Sequence, residues 1–532
     1  MQTKIYGLKI LICIVISLPL VFSACSGGSD GSGGADNDGD LDNSGPQAIA
    51  VWAYPDGVSI PYRDDDNNVV AGDVHIGVVA YHSTGIAHVE FAVNNVTTYV
   101  PSETINPETG EYEFVLTLDP ASLADDGEYS ISAVAHPNDG TSTTLPILKI
   151  WKDTASHNVW YVGGAGYSTI DAACQAASGG DIIKVGSGTY DLPDQTGYNF
   201  LKYVTIMPDA SASVVINSGS LRSSYLKFDR ITFDLSSSLT DAVISSQFTH
   251  FWFDECTAIG FGKDDPNNTA AAFRFYDSSE YVVIENSTIH DSSLGARLSA
   301  GNYIFRNNHV HDITADGVGY DGHNILISNN LIHDNIVPAG GDQHCDFISS
   351  NTSGDQIVLR NNTCYNGSHQ GIKLGAHTPG LDKPYSNVAI VNNLIAKVVD
   401  SAVNIQFLNT GHRYNNVLLE HNTFWNGSNV FLVRDNAFLE DIFVRNNIFG
   451  PNVVSSYNLP ELYMDYNCLN DGVVSGSHSV IGDPQFINEG NWEFDLETTS
   501  PAKARGYSFS NIAYDINWDP RDTATPTIGA YE

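Results

Sequence analysis

Positive charge is scarce in this chain of 532 residues. Lys and Arg together number 24, against 62 Asp and Glu, which gives a formal net charge of −38 at pH 7. Nucleic-acid binding requires a basic surface that neutralises phosphates, so this composition argues against a nucleic-acid partner. A cation on a functional face would therefore be conspicuous.

Cysteine and helical patterning are scarce as well. The seven Cys include Cys13 and Cys25 in the N-terminal leader, which leaves Cys174, Cys256, Cys345, Cys364 and Cys468. The number is odd and no CxxC spacing occurs, so neither a full disulfide framework nor a zinc knuckle is indicated. Cys345 and Cys364 fall at inward positions of the coil alignment given below, where they are either buried thiols or a bridge. The near absence of helical periodicity predicts an all-β protein.

Residues 1–25 have the pattern of an export signal. Lys4 and Lys9 precede the apolar run Ile10 to Phe22, and small residues lead to Cys25. The pattern resembles a bacterial lipoprotein signal, which implies cleavage before Cys25 and lipidation of its thiol; an ordinary secretory signal is the alternative. We expect a lipid-anchored protein at the bacterial outer membrane or cell surface, or otherwise an extracellular one. Residues 26–46 are mostly Gly, Ser and Asp with almost nothing apolar, and predict a flexible linker.

Residues 47–152 contain short segments in which apolar and polar residues alternate. Examples are 74–81, 88–93 and 129–136, separated by turn residues. Several short alternating strands over about 100 residues predict a small antiparallel β-sandwich. The stretch 85–95 resembles bacterial immunoglobulin-like modules, which implies a spacer or a glycan-binding module.

One phrase recurs along the second half of the chain: an apolar stretch, an Asn pair, an apolar residue and a turn. The second Asn of each phrase is assigned to 286, 308, 330, 362, 393, 422 and 447. Short strands repeated every 20–30 residues or so predict a solenoid. We interpret each repeat as one coil of a right-handed parallel β-helix, with the Asn side chains stacked in an internal hydrogen-bonding ladder.

The segments flanking these repeats extend the predicted solenoid over residues 155–532. The piece 168–177 reads as the one good helix of the chain, with Ser168 or Thr169 near its N-cap. This helix, the strands 179–191 after it and the closing segments 482–486 and 527–532 resemble the pectate-lyase-like β-helix superfamily. That resemblance implies an exported polysaccharide-active protein. It does not indicate the reaction, because lyases, hydrolases, epimerases and inert adhesins share this fold.

A second short strand follows each Asn phrase and presents a candidate functional face. In our alignment one outward column holds Arg297, Gly319, Ile348, Lys373 and Asn404. Asp346 lies in the column before it, and His344 and His369 in the next. Because coils stack ~4.8 Å apart, these side chains should converge in one groove. The segments 342–348 and 369–373 resemble a His-x-Asp strand before a Gln-Gly-Ile strand in the same superfamily.

The predicted site has catalytic, binding and metal-ligating members. The catalytic candidates are Lys373, His369, Asp346, His344 and Arg297. The substrate-binding candidates are Asp321, Asn404, Gln406 and His377. Asp342 and Asp346 could hold a Ca²⁺ ion.

Four functions remain open. A lyase acting on a uronic-acid polymer needs a cation near the carboxylate and a base for the C5 proton, which Lys373, Arg297 and His369 could supply. A C5-epimerase would share these groups. A hydrolase needs two carboxyl groups across the scissile bond, for which Asp346 with Asp321 or Asp342 could serve. A surface adhesin or glycan-binding solenoid needs no such convergence. We favour the lyase, with an anionic polysaccharide as partner, and expect a monomer.

Overall fold

The computed structural model contains two groups of β-sheets, antiparallel ones first and long parallel ones after them. It describes residues 45–60, 67–68, 72–123, 126–193, 198, 200–217, 219–234, 236, 243–245, 247–260, 262, 270–276, 278–339, 344–375, 385–399, 401–405, 413–425, 429–433, 438–451, 462–471, 476–508 and 512–532. The predicted signal, Cys25 and nearly all of the linker lie outside these ranges. No helix in the described part of the chain has the length and apolarity to cross a membrane.

The N-terminal sheets face each other across an apolar core. The four-stranded sheet has the order Ile49–Trp52, Val74–Tyr81, Tyr112–Leu118, Thr104–Ile105. The six-stranded sheet has the order Val58–Ile60, Leu148–Lys152, Gly127–Pro137, Ile86–Val93, Val96–Val100, with Thr143–Thr144 paired to Gly127–Pro137. Among the described strand pairs of these two sheets only Val58–Ile60 with Leu148–Lys152 is parallel, and the isolated bridge between Gln47 and Thr141 is parallel as well. The alternation in the sequence gives each strand one buried face, as at Val89 and Phe91.

The rest of the chain forms two long parallel sheets. The strands of the 19-stranded sheet are Val159–Val162, Ile182–Val185, Val204–Pro208, Gly219–Ser220, Leu226–Asp229, Val243–Ser245, Phe251–Asp254, Ala271–Phe275, Val282–Glu285, Leu294–Arg306, Val318–Ser328, Ile348–Arg360, Ile372–Leu374, Tyr385–Val391, Ser401–Ile405, Arg413–Glu420, Asn429–Val433, Phe438–Arg445 and Leu462–Asp465. The strands of the 13-stranded sheet are Gly188–Tyr190, Val214–Ile216, Thr232–Asp234, Thr257–Ile259, Thr288–Ser292, His309–Ile313, Leu331–Asn335, Thr363–Gly367, Leu394–Val398, Thr423–Trp425, Ile448–Phe449, Cys468–Leu469 and Val480–Ile481. Phe486–Asn488 and Glu493–Leu496 form a separate antiparallel pair.

The 19-stranded sheet contains two rows of strands, so each coil has three walls. The first wall includes the segments 282–285, 303–306, 325–328 and 357–360. The second wall includes 294–300, 318–321, 348–350 and 372–374. The 13-stranded sheet is the third wall. Successive coils pair in parallel on every wall, so the protein is a parallel β-helix, as predicted.

A single helix, Ile170–Ala176, lies at the start of the solenoid. Thr169 is its N-cap, and its side chain accepts a hydrogen bond from the backbone N–H of Ala172 at 3.1 Å. Ile170 and Cys174 are buried in the same apolar core as the first strands. Two short 3-10 helices, Pro120–Ser122 and Glu489–Asn491, complete the described helical structure.

The two residues of each Asn pair have different functions in the coil. The first Asn takes a left-handed backbone conformation at the turn, for example φ +55° at Asn307 and +54° at Asn392. The second points inward: the side-chain oxygen of Asn393 accepts hydrogen bonds from the backbone N–H and the side-chain amide of Asn362, at 3.0 and 2.9 Å. The predicted internal ladder is therefore present.

The ladder differs from the prediction at both ends. Asn286 is exposed and has φ +51°, so it corresponds to the first Asn of a pair and was misassigned. The ladder position is occupied by Ser287, whose backbone N–H donates to Asn308 at 3.0 Å. At the other end the ladder continues to Asn467, whose side-chain oxygen accepts from the backbone N–H of Asn447 at 2.9 Å.

The antiparallel sheets pack against the outer face of the first wall. The apolar column on that face consists of Trp252, Val283, Ile304, Leu326, Val358, Ala389, Leu418 and Phe443. Ile49 and Val51 pack against this column. A buried ion pair joins the same two parts of the chain, with 2.7 Å between Nη2 of Arg360 and Oε2 of Glu111.

The C-terminal segment covers part of the third wall in the same way. Ile528, Ala530 and Phe494 pack with Leu394 and Trp425, which belong to outer positions of that wall. Cys468 joins this cluster. All five described cysteines, including Cys345 and Cys364, are buried and free, so the buried-thiol interpretation is confirmed.

Candidate functional site

The second wall carries the predicted outward column, with one correction. The observed register places Arg297, Gly319, Ser349, Lys373 and Asn404 side by side. The prediction placed Ile348 there because it took Phe347 as the inward residue level with Val318. In the structure Ile348 is level with Val318 and Ile372, and Phe347 and Ile348 are both buried in the core, which hid the shift.

Lys373 and Asp346 form a buried ion pair on this wall. Nζ of Lys373 lies 3.7 Å from Oδ2 of Asp346, and the two side chains are 2% and 0% exposed. Neither carboxylate oxygen of Asp346 has a hydrogen-bond partner among the described residues. A buried carboxylate in this state depends on nearby positive charge. The predicted convergence of these two residues is therefore observed, although both are more deeply buried than a groove floor requires.

Two imidazoles lie beside this ion pair and are more exposed. Nδ1 of His344 is 3.8 Å from Oδ1 of Asp346, and the His344 side chain is 36% exposed. Contact with the Asp346 carboxylate raises the pKa of the His344 imidazole above its ordinary value, against the opposing effect of burial. The rings of His344 and His369 are 5.2 Å apart and tilted by 35°. The structure thus places His344 beside Asp346, and His369 beside His344.

Asp316 and Ser349 belong to the cluster and were missed by the sequence analysis. The Ser349 hydroxyl donates to Oδ2 of Asp316 at 2.6 Å, and the backbone N–H of Asp346 donates to Oδ1 of Asp316 at 3.2 Å. Desolvation, and then the neighbouring charge of Asp346, raises the pKa of Asp316 to about 6. The signal was available: Asp316 precedes Val318 by two residues, as Asp346 precedes Ile348.

Arg297 and Asp321 form a second ion pair at a distance from this cluster. Their side chains are in direct contact and are 18% and 10% exposed. Oδ1 of Asp321 also accepts a hydrogen bond from the backbone N–H of Thr352 at 2.9 Å. Arg297 is three rungs from Lys373 in the outward column, or about 14 Å along the wall. It therefore lies on the same face without touching the histidine cluster.

The remaining predicted residues are only partly covered by the structure. Asn404 is level with Lys373 in the neighbouring coil. Gln406, His377 and Asp342 lie outside the described residues. The predicted Ca²⁺ site thus has one described member, Asp346, and the ammonium of Lys373 lies on one of its oxygens. Calcium at Asp342 and Asp346 stays a prediction.

The arrangement is suited to proton transfer by two partly exposed histidines that lie next to the buried pair of Asp346 and Lys373. His344 and His369 are the accessible titratable groups, and Asp346 orients and polarises His344 from beneath. Lys373 places its ammonium 3.7 Å from the same carboxyl group. Asp316 adds a carboxyl group that exchanges a proton near neutral pH. Groups with separated proton affinities within one cluster are suited to paired acid and base catalysis.

The comparisons with known proteins agree with the fold. A family model described as the right-handed beta helix region matches residues 222–383 and 271–449. No curated protein sequence matches this chain.

Three of the similar solved structures are of enzymes whose names refer to different polysaccharides. Pectate lyase Pel9A is 15% identical, with 71% of this chain and 97% of that chain covered and a TM-score of 0.41. The A-module of an Azotobacter vinelandii mannuronan C-5 epimerase is 14% identical, with 59% and 94% covered and a TM-score of 0.33. The catalytic domain of a GH87 alpha-1,3-glucanase in complex with nigerose is 11% identical, with 78% and 100% covered and a TM-score of 0.26. At these identities the similarity concerns the fold alone, so the chemistry has to be argued from the residues.

Proposed function

We propose that this protein is an exported polysaccharide lyase that cleaves a uronic-acid-containing polymer by β-elimination on the second wall. The observation that carries the proposal is the pair of accessible imidazoles, 5.2 Å apart, above the buried pair of Asp346 and Lys373. An elimination needs one group that removes a proton and one that delivers a proton, and two neighbouring histidines can meet this need.

In the proposed step the neutral imidazole of His369 takes the C5 proton of the uronate. The C5–H electron pair forms the C4–C5 double bond, and the C4–O bond breaks. The departing oxygen receives a proton from His344, whose raised pKa favours its protonated form. His344 and His369 are the catalytic residues in this proposal.

Lys373 and Asp346 act as positioning residues because their burial keeps them away from a polymer. Asp346 holds His344 in place, and Lys373 maintains the charge of Asp346. Arg297, at 18% exposure and held by Asp321, is assigned to the substrate carboxylate of a neighbouring sugar unit. Asn404 is assigned to the same binding strip because it follows Lys373 in the outward column. Lipid anchoring through Cys25 would hold this face at the cell surface.

The test is a screen of plant and marine polyuronates with the purified protein, with and without a chelator. A lyase releases unsaturated products that absorb in the ultraviolet. We expect His344→Gln and His369→Gln each to lower the rate by about 100-fold or more. His478→Gln is the matched control, since His478 also forms a partly exposed pair, 2.7 Å from Asp465. Rates equal to the unaltered protein in both site variants would discard this assignment.

A glycoside hydrolase is the second candidate, and the raised pKa of Asp316 favours it. A hydrolase uses one protonated and one ionised carboxyl group, and the raised pKa of Asp316 suits the protonated one, with the Asp346 carboxyl group as its neighbour. New reducing ends without ultraviolet absorbance, lost in Asp316→Asn, would support this function over the lyase. Binding of a polyuronate without any cleavage would instead indicate a glycan-binding solenoid.

A further inference from the structure

A second cluster of titratable side chains lies far from the second wall, on the outer face of the six-stranded N-terminal sheet. Along Ile86–Val93, Val89 and Phe91 are buried, whereas His88 and Glu90 lie on the opposite, partly exposed face. His136, on the neighbouring strand Gly127–Pro137, faces the same way. The alternation of the two strands therefore presents three potential metal ligands to one side of the sheet.

The register brings these three side chains into contact. His88 is directly opposite His136 in the antiparallel pair, and their rings stack with centroids 4.5 Å apart. Nε2 of His136 is 3.7 Å from Oε2 of Glu90. One ligand atom from each of the three residues lies within 4.8 Å of the other two. No other group of this kind occurs among the residues that the structure describes.

His136 is held in the orientation that a metal ligand requires. Its Nδ1 is 2.9 Å from the hydroxyl of Ser142, which fixes the ring. Its Nε2 is buried and has no hydrogen-bond partner among the described residues. A buried ring nitrogen without a partner is unfavourable, and a bound cation would satisfy it. A hydrogen bond to the other ring nitrogen is the usual support of a metal-bound histidine.

We propose that His88, Glu90 and His136 form a Zn²⁺ site. Two imidazole nitrogens and one carboxylate oxygen are a donor set that zinc accepts, whereas calcium and magnesium prefer oxygen donors alone. Metal–ligand bonds of about 2.0–2.1 Å place ligand atoms about 3.4 Å apart in a tetrahedron. The present spacing of up to 4.8 Å therefore has to contract by about 1.4 Å at most. Three protein ligands leave the fourth position open to solvent or to a donor group of a bound molecule. The ion would also join the two strands, and the site does not depend on the proposed lyase activity.

The test uses the full chain, purified without a polyhistidine tag and stripped with a chelator. Titration with Zn²⁺ in a calorimeter should give one ion per chain, and Co²⁺ should produce the intense visible absorption of a four-coordinate site. His88→Ala/His136→Ala should remove both signals. His75→Ala is the matched control, because His75 also pairs with a glutamate, at 3.3 Å from Glu108, but is not part of a three-ligand group.

A milder variant separates the role of the ligands from damage to the sheet. Ser142→Ala leaves all three ligands in place and should weaken Zn²⁺ binding by about 10–100-fold, since it removes only the support of His136. Circular dichroism spectra should be unchanged for every variant. Absence of Zn²⁺ binding by the unaltered chain, or undiminished binding by the double variant, would overturn the proposal.

Discussion

Replacing Lys373 by Met tests whether the buried ion pair of the candidate site is arranged as described. Lys373 and Asp346 are 3.7 Å apart and almost fully excluded from solvent, and no hydrogen bond from a described residue supports the carboxylate. Lys373→Met keeps the length of the side chain and removes its charge, so it leaves Asp346 as an uncompensated buried anion. Loss of one partner of such a pair destabilises a protein by about 3–5 kcal/mol.

Removing the second charge should reverse much of this loss. In the double variant Lys373→Met/Asp346→Asn no buried charge remains, so its destabilisation should be smaller than the sum of the single effects by at least about 2 kcal/mol. The matched control is Lys149→Met. Lys149 pairs with Glu128 at 3.2 Å, but the two side chains are 47% and 38% exposed, and an exposed pair contributes about 0–1 kcal/mol.

The measurement is the change in urea unfolding midpoint, together with amide hydrogen exchange of the strand Ile372–Leu374. Exchange adds a local readout, because long repeat proteins do not always unfold in one step. The charge-pair argument fails if Lys373→Met costs no more than Lys149→Met. It fails equally if the double variant loses the full sum of the two single effects.

Two further predictions concern the ladder and the pH response. Asn393→Ala removes the acceptor for two buried donors of Asn362 and should destabilise the protein by about 3–5 kcal/mol. The control is Asn217→Ala, at an exposed position, which should cost less than about 0.5 kcal/mol. Equal unfolding midpoints of the two variants would contradict the ladder. Asp316 has a folded pKa of about 6 against an ordinary 3.8, so between these pH values the folded chain holds a proton that the unfolded chain has released. Its contribution to stability therefore falls as pH rises through this window, and Asp316→Asn should flatten the measured slope; an unchanged slope would refute the assignment.

The fold could be predicted because every coil of a solenoid needs the same kinds of residue at the same positions, so the pattern recurs along the chain. Each coil needs a residue that tolerates a left-handed turn and a residue that extends the ladder, and the Asn pair meets both needs. The error at Asn286 has the same cause. Ser287 takes the ladder position there, so the pair is incomplete and its single Asn was assigned to the wrong half.

The packing of the antiparallel sheets on the solenoid was not predicted. Segments such as 325–327 and 357–359 are apolar at every position, which is the mark of a strand buried on both faces. The pattern shows that something covers the outer column at Leu326 and Val358. It does not identify the covering element, because that depends on contacts between residues about 300 positions apart.

The candidate site was predicted in part. Stacking of coils was enough to bring Lys373 to Asp346 and His369 to His344. Two adjacent buried residues, Phe347 and Ile348, left the register ambiguous by one position, and this concealed Ser349 and Asp316. Burial of Lys373 depends on how neighbouring side chains cover it, which the sequence pattern does not encode.

Both ends of the described chain lie along the flanks of the solenoid. Ile49 and Val51 cover one apolar strip, and Ile528 and Ala530 cover another. A shortened version that keeps only the coils would expose two long apolar surfaces and would be prone to self-association. A shortened protein should therefore retain both extremities. They cover the first and third walls, whereas the candidate site is on the second wall.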